Sequence, residues 1–277
     1  MKKKTAKLSD LLFYTTLIFL SATTLFPIIW TFLTSLKTQS SLLNSIPLWY
    51  GFNIQNNYYQ PFIKQGYFDL LLNSLLTSIG CIIVSVPIGF LAAYAFSRYK
   101  IFGAHTLLFW VITCRMIPVA TLIIPYYILI TKLRIYDNTL TLISLYTLFN
   151  LPIAIFLIKS GLDSIPTAID EAALIDGASI AEVLGQVIFP LVLPVIAVSS
   201  IMVFIFSWNE YLIASIVTGS NSETFMVGIR AFASCCRIQY AKMAAVTMIS
   251  LIPPVIVVSA FQRYIISGLT LGSVKQA

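Results

Sequence analysis

Five stretches of this chain, residues 11–36, 70–97, 138–158, 183–209 and 243–262, contain no Asp, Glu, Lys, Arg or His. Each is at least as long as the ~20 residues a helix needs to cross the hydrocarbon core of a bilayer. A sixth stretch, 106–131, is interrupted by Arg115 alone. Lipid offers no hydrogen bonds, so a segment that crosses it must satisfy its own backbone, which a helix does. Composition agrees: 58% of residues are hydrophobic and 10% charged, where a soluble domain carries about a quarter charged residues. The chain therefore reads as an all-α polytopic membrane protein with six transmembrane helices, whose cores lie near 11–36, 71–96, 106–131, 139–159, 191–213 and 242–265. It carries no internal repeat or linker, so residues 1–277 read as one membrane domain.

Met1-Lys2-Lys3-Lys4 resembles the start of a secretory signal. The apolar run behind it far exceeds the ~7–15 residues of a signal core, and no small-residue cleavage site follows, so it reads as a retained first helix. With this Lys cluster held inside, Arg98, Lys100, Lys159, Arg263 and Lys275 also fall on the inner side, and the outer loops carry a slightly smaller positive count. The first helix usually dominates orientation, so both termini are expected in the cytoplasm of a multi-pass cell-membrane protein. The net charge of +7 follows from this bias and from no nucleic-acid site, since no basic cluster exceeds the N-terminal one.

Several function classes lack their residues. No Gly-x-x-x-x-Gly-Lys-Ser/Thr run occurs, so the chain has no phosphate-cradling loop. The single histidine, His105, has no carboxylate or cysteine cluster beside it in sequence. Cys81 and Cys114 fall in spans, Cys235 and Cys236 sit adjacent in an outer loop, and no zinc spacing is present. No catalytic residue, metal site or cofactor is assigned to this chain. The outer loop 37–70 is dense in Trp and Tyr, a composition suited to the membrane–water interface.

The inner loop 160–190 is too long for a simple connector and has helical signals of its own. Asp163, Ser164 or Thr167 can cap a helix with Pro166 in its first turn. That helix should run to about Asp176 and end at Gly177. Ser179-Ile180-Ala181-Glu182 is a capping-box pattern for a second helix. Ile180, Val183, Leu184, Val187 and Ile188 form its apolar stripe, and Pro190 and Pro194 mark a bend into the fifth span. The first helix carries Ala168, Glu171, Ala172 and Ile175 along one side, small residues around one carboxylate. Periodicity leaves two readings open: a surface gripped by a soluble partner, or a helix lying on lipid.

This segment resembles the cytoplasmic signature loop of ATP-binding-cassette importer permeases, which runs Glu-Ala-Ala, three residues, Gly, nine residues, Ile, one residue, Leu-Pro. Glu171-Ala172-Ala173 and Gly177 match in place, with Asp170 ahead of the Glu; Val187 takes the Ile position and Phe189-Pro190 that of Leu-Pro. Asn73-Ser74, Ala92-Ala93-Tyr94-Ala95-Phe96-Ser97-Arg98, Arg115-Met116-Ile117-Pro118, Asp176-Gly177-Ala178-Ser179 and Phe206-Ser207-Trp208-Asn209-Glu210 are similar to the sugar-permease branch. Phe261-Gln262-Arg263-Tyr264, Gly268-Leu269-Thr270 and Gly272-Ser273-Val274-Lys275 resemble the smaller, maltose-type permease subunit.

The resemblance implies a permease subunit that forms half of a carbohydrate pathway and is coupled to a separate ATPase. It implies a second homologous permease chain, two ATPase copies that carry ATP and Mg, and an extracytoplasmic solute-binding protein. It places Glu171, Ala172, Ala173, Asp176, Gly177 and Pro190 on the coupling loop. It also places Gly268, Leu269, Thr270, Gly272 and Lys275, in the tail 266–277, against the ATPase. Within the spans, Arg115 requires pairing or hydration because a buried charge is costly. Asn150, Trp208, Asn209 and Glu210 are candidates for the solute pathway, with helix packing as the competing role. The rival class is a self-contained secondary transporter or channel, which commonly carries intramembrane acids and a two-fold internal repeat.

Overall fold

The computed structural model describes the backbone of residues 2–43, 51–234 and 237–271, and side chains within 10–43, 51–233 and 238–264. Its elements in chain order begin with helices α1 (Lys2–Leu36) and α2 (Gln39–Leu43), followed by a π-helical segment, Gln55–Lys64. Then come α3 (Tyr67–Arg98), α4 (Ala104–Met116), α5 (Val119–Lys132), α6 (Thr139–Leu162) and α7 (Ala168–Ile175). A short α8 (Ile180–Glu182) passes through a π-helical turn, Val183–Ile188, into α9 (Phe189–Trp208). Short helices α10 (Ala214–Val217) and α11 (Phe225–Ile229) precede a two-residue ladder, β1 (Ala233–Ser234) against β2 (Arg237–Ile238), and then α12 (Tyr240–Ser250) and α13 (Ile252–Leu271). Cys235 and Cys236 lie outside the described residues.

Among the described residues, five helical stretches are long and apolar enough to cross a membrane: Asp10–Leu36, Tyr67–Arg98, Thr139–Leu162, Ile180–Trp208 and Tyr240–Tyr264. The expected straight third span, 106–131, is instead two helices, Ala104–Met116 and Val119–Lys132, bent by 88°. The cause is local. Pro118 has no N–H and drives the residue before it out of the helical region, and Ile117 adopts φ −66, ψ 123. The fifth span also differs from expectation. No break occurs at Pro190 or Pro194; the helix Ile180–Trp208 is continuous over 29 residues and stops short of 213. Pro190 sits at the start of α9, and the π-helical turn before it takes up the register, the Phe189 N–H reaching the Leu184 carbonyl.

The chain divides into two compact units. The first comprises Met1–Phe68 and Ile229–Ile252. In it α1 packs on α12, and the π-helical segment packs on α12 as well. Buried Asn57 donates to the Ser35 and Lys37 carbonyls at 2.8 and 2.7 Å, satisfying acceptors that the end of α1 leaves open. Tyr67 stacks on Phe232 with ring centroids 5.0 Å apart. Most of α1 from Leu11 to Phe32 is exposed apolar surface.

The second unit comprises Asp69–Gly228 and Pro253–Ala277. Its core is α6 against α9, with α3 alongside: Cys81, Phe90 and Ala93 meet Leu142, Ala154 and Ile158, and Val183, Ile188 and Val192 close the α7 end. Helix α6, capped by the Asn138 side chain on the Leu140 N–H at 2.8 Å, spans about 36 Å at 1.5 Å per residue. It therefore separates two polar ends of this unit.

Candidate coupling surface and polar cavity

At one end of α6 the chain turns through Asp163–Pro166 into α7. Helix α7 ends on a Schellman pair: Gly177 N–H donates to the Leu174 carbonyl at 3.1 Å and Ala178 N–H to the Ala173 carbonyl at 3.0 Å. That pair needs a left-handed residue, and Gly177 supplies φ +91. The next helix starts on a complete capping box, with Ser179 N–H on the Glu182 carboxylate at 2.8 Å and Glu182 N–H on the Ser179 hydroxyl at 3.4 Å. Both helices, the glycine break and the box stand where the spacing puts them. Thr167 takes the N-cap position without a side-chain bond.

The two sides of α7 differ. Ala168, Glu171, Ala172 and Ile175 are exposed, Ile175 at 85%. Asp170 is buried and Ala173 packs on the core. Asp170 meets Arg98, at the end of α3, with Oδ2 to Nε at 2.9 Å; both side chains are 7% exposed. Tyr94 donates to the other carboxylate oxygen at 3.2 Å. The rest of the Arg98 guanidinium is also engaged: Nη1 donates to the Leu162 carbonyl at 3.2 Å and Nη2 to the Ile165 carbonyl at 3.1 Å. Arg98 thus ties three segments together, the end of α3, the end of α6 and α7. Both partners are charged and hydrogen-bonded, the condition under which a buried pair is tolerable.

Asp163 forms a second, more exposed contact set beside it, accepting from Ser97 at 2.7 Å and from Lys159 at 2.6 Å. Burial alone pushes the Asp163 carboxyl up. The hydrogen bonds from Lys159 and Ser97 and the charges of Lys159 and Arg98 outweigh it and hold the group below its ordinary value.

Deeper in the same unit a cavity of about 160 Å³ is lined by Arg115, Val119, Tyr146, Phe149, Asn150, Phe206, Glu210 and Ile213. Arg115 reaches it because α4 ends at Met116 just before the 88° bend. Its Nη1 donates to the Phe149 carbonyl at 2.6 Å and to Asn150 Oδ1 at 3.2 Å, and its guanidinium lies 4.3 Å from the Phe206 ring centroid. The Asn150 amide donates to Ser207 Oγ at 3.1 Å. Tyr146 donates to the Glu210 carbonyl at 3.3 Å, and the Glu210 carboxylate accepts from the Ile213 N–H at 3.0 Å. Among the described residues, no group of three His, Cys, Asp or Glu side chains is placed to hold a metal ion.

Comparison with known proteins places this arrangement. Residues 85–270, which include the α7 loop and the cavity, match the family of the binding-protein-dependent transport system inner membrane component. The chain belongs to this family. The permease is 33% identical to the inner membrane ABC transporter permease protein YcjP of Escherichia coli K12, covering 97% of each chain. It is 31% identical to the trehalose transport system permease protein SugB of Mycobacterium tuberculosis, over 91% of this chain and 92% of that one. It is 31% identical to the trehalose/maltose transport system permease protein MalG of Thermococcus litoralis, over 91% of each. Its fold is similar to a chain in the crystal structure of a bacterial ABC transporter involved in the import of the acidic polysaccharide alginate, with a TM-score of 0.74 at 20% identity, covering 93% of this chain and 96% of that one. A self-contained secondary transporter or channel is set aside by this membership.

Of the residues singled out in the sequence, Glu171, Ala172, Ala173, Asp176 and Gly177 share the α7 turn, while Pro190 stands at the start of α9. Gly268, Leu269 and Thr270 lie on the last turn of α13, and Gly272 and Lys275 lie outside the described residues. Asn150 and Glu210 line the polar cavity. Trp208 and Asn209 do not: Trp208 is buried with its ring stacked on Phe204 at 5.7 Å, and Asn209 caps α9 with its amide on the Ile205 carbonyl. The Arg98–Asp170 tie and the lining role of Tyr146 were not read from the sequence. Arg98 and Asp170 each stand in a quoted motif, but nothing local pairs residues this far apart.

Proposed function

We propose that this chain is one of two homologous permease subunits of an ATP-driven carbohydrate importer, with both termini in the cytoplasm. On this reading two copies of a separate ATPase subunit bind ATP and Mg, and an extracytoplasmic binding protein delivers the sugar. The exposed side of α7, with Glu171 among Ala168, Ala172 and Ile175, seats in the ATPase. Small side chains let the partner approach the helix closely, and the carboxylate gives a charge-assisted contact. The tail at Gly268, Leu269, Thr270, Gly272 and Lys275 adds a second ATPase contact. This chain performs no bond chemistry; ATP-driven closure moves α7, and the helices that continue from it open the path around Asn150 and Glu210.

The observation that carries the reading is the two-sided α7: a polar and small face left open, and an opposite face fixed to the bundle through Asp170 and Ala173. The sugar is supported by the trehalose and maltose transport named for two relatives. The test is ATP hydrolysis and solute uptake by the reconstituted complex. Glu171→Ala and Gly177→Pro should each lower ATPase capture and uptake severalfold while membrane insertion is retained. Normal sugar-stimulated hydrolysis by both variants would overturn the coupling role.

A further inference from the structure

The first unit holds two adjoining polar cavities that the coupling surface and the α4–α9 cavity leave unused. One, about 270 Å³, is lined by Gln39, Asn56, Asn57, Gln239, Ala241 and Lys242. The other, about 360 Å³, contains Tyr59, Gln60 and Lys64, and Asn56 lines both. Among the described residues, neither has a carboxylate in its lining, and Ala241 is the one aliphatic side chain.

The walls are fixed. The Gln39 amide is spent at both ends, donating to the Ile238 carbonyl at 2.7 Å and accepting from the Ala241 N–H at 3.4 Å. Buried Asn57 is held by the carbonyls at the end of α1. Lys242 donates to Gln60 Oε1 at 3.3 Å, which aims the Gln60 NH₂ away from the lysine. By contrast Asn56 and Gln239 bond through their backbone N–H groups, and their side chains and that of Tyr59 make no hydrogen bond among the described residues. A rigid rim therefore surrounds open carboxamides and one phenol.

We propose that this cleft is a carbohydrate-binding site, on the face of the permease that receives the solute. A carboxamide presents donors and an acceptor in one plane, which matches neighbouring sugar hydroxyls, each able to donate and accept. The half-exposed Tyr59 ring offers an apolar face with a polar tip. The larger cavity is within the ~300–1,000 Å³ typical of small-ligand pockets. A protein partner fits less well, because interface anchors are buried aromatic, aliphatic or Arg groups in apolar pockets, and among the described residues the cleft lining has no Leu, Ile, Val or Arg. The proposal rests on the carbohydrate and orientation readings above.

The test uses the complete importer in nanodiscs, without ATP and without the external binding protein. Saturation-transfer NMR is recorded with trehalose, maltose and diacetylchitobiose as probes. At least one should receive saturation. Asn56→Ala with Gln239→Ala should weaken it roughly tenfold, as expected for two lost hydrogen bonds. Asn56→Asp, which keeps the size of the side chain, should change the order of preference among the three sugars. In uptake assays the double variant should raise KM with kcat retained. The proposal fails if no probe receives saturation, if the double variant binds like the parent, or if the variant loses capture of the external binding protein while sugar contact is unchanged. ATP-dependent uptake by the unaltered importer is read in parallel: if that is absent, the transport reading fails by itself, whatever the cleft binds.

Discussion

Two carboxylates, at opposite ends of α6, pin chain segments in the same unit by opposite chemistry. At the α7 end Asp170 is paired with a full charge, Arg98 at 2.9 Å, inside a nearly dry contact. At the other end Asp137, in the turn between α5 and α6, is held by neutral donors from the segment after α9. Its oxygens accept from the Gly219, Asn221 and Ser222 N–H groups at 2.8–3.1 Å and from the Ser222 hydroxyl at 2.7 Å. The Asn221 amide adds a further donor at 3.0 Å. Asp137 itself takes φ +56, and a Cβ on Gly219 would stand 2.9 Å from Oδ2, so a side chain there would press on the held carboxylate. An ion pair depends on both partners and tolerates small changes of angle. A set of backbone donors depends on loop shape and needs one acceptor in place. The first suits a joint that moves as a body with α7; the second suits a fixed corner.

The comparison breaks most visibly at Asp170. Asp170→Ala leaves the Arg98 guanidinium buried without its charge partner. Removing one partner of a buried pair costs about 3–5 kcal/mol. We expect a large fall in the melting temperature of the detergent-solubilised protein. The exchange Arg98→Asp with Asp170→Arg should recover part of that loss if the pairing matters and none if only the shape of Arg98 matters. Arg98→Lys keeps charge but cannot reach the Leu162 and Ile165 carbonyls while holding Asp170. It should retain stability better than Asp170→Ala and still lower uptake per ATP hydrolysed, because α3 is no longer tied to the end of α6. Uptake per ATP equal to the parent would remove Arg98 from the coupling path.

Asp137 comes next in size and adds a pH signature. Burial alone would raise its carboxyl; the Ser222 hydroxyl and the N–H groups of Gly219, Asn221 and Ser222 outweigh it and bring the group from its ordinary 3.8 to about 2. Nearby Glu223 shifts upward, from burial first and then from the charge of Asp137. Because the folded value of Asp137 lies below the unfolded one, its contribution is complete above about pH 4 and is lost as pH falls from there through about 2. Asp137→Asn turns one acceptor into a donor facing N–H groups and should cost about 1–3 kcal/mol. Thermal melts of parent and Asp137→Asn should differ most above pH 4 and converge as pH approaches 2. A constant difference across that window would show that the carboxylate charge is not what the donors hold.

These ends also show what a sequence of this kind discloses. The α7 turn was legible because its determinants are local: Gly177 supplies the left-handed residue, and Ser179 and Glu182 stand three apart. The six apolar stretches were legible for the same reason, since lipid imposes length and absence of charge. The 88° bend was not, although Ile117 and Pro118 were in view, because the apolar run continues across them and hydropathy is blind to backbone geometry. Pro190 misled in the other direction, since a π-helical turn beforehand lets the helix pass through it. The Asp137 and Asp170 contacts were invisible because each is closed by packing of distant segments. Trp208 and Asn209 adjoin Glu210 in sequence, yet of these three only Glu210 lines the cavity.

The smallest expected effect tests whether the legible part of the α7 turn is as local as its sequence suggests. Ser179→Ala deletes the hydroxyl that accepts from the Glu182 N–H and that donates to the Glu182 carboxylate at 2.7 Å. The Ser179 N–H keeps its bond to that carboxylate. Loss of an N-cap side chain costs about 1 kcal/mol, and this turn is exposed, so water replaces part of the bond. We expect a shift of a few degrees or less in melting temperature and faster amide hydrogen exchange confined to residues 179–183. The Arg98–Asp170 tie anchors α7 independently of the box, so uptake per ATP should stay near that of the parent. If Ser179→Ala instead lowered uptake per ATP as strongly as Arg98→Lys, the joint would extend past Gly177 into the start of the fifth span, and α7 would move together with the helix that follows it.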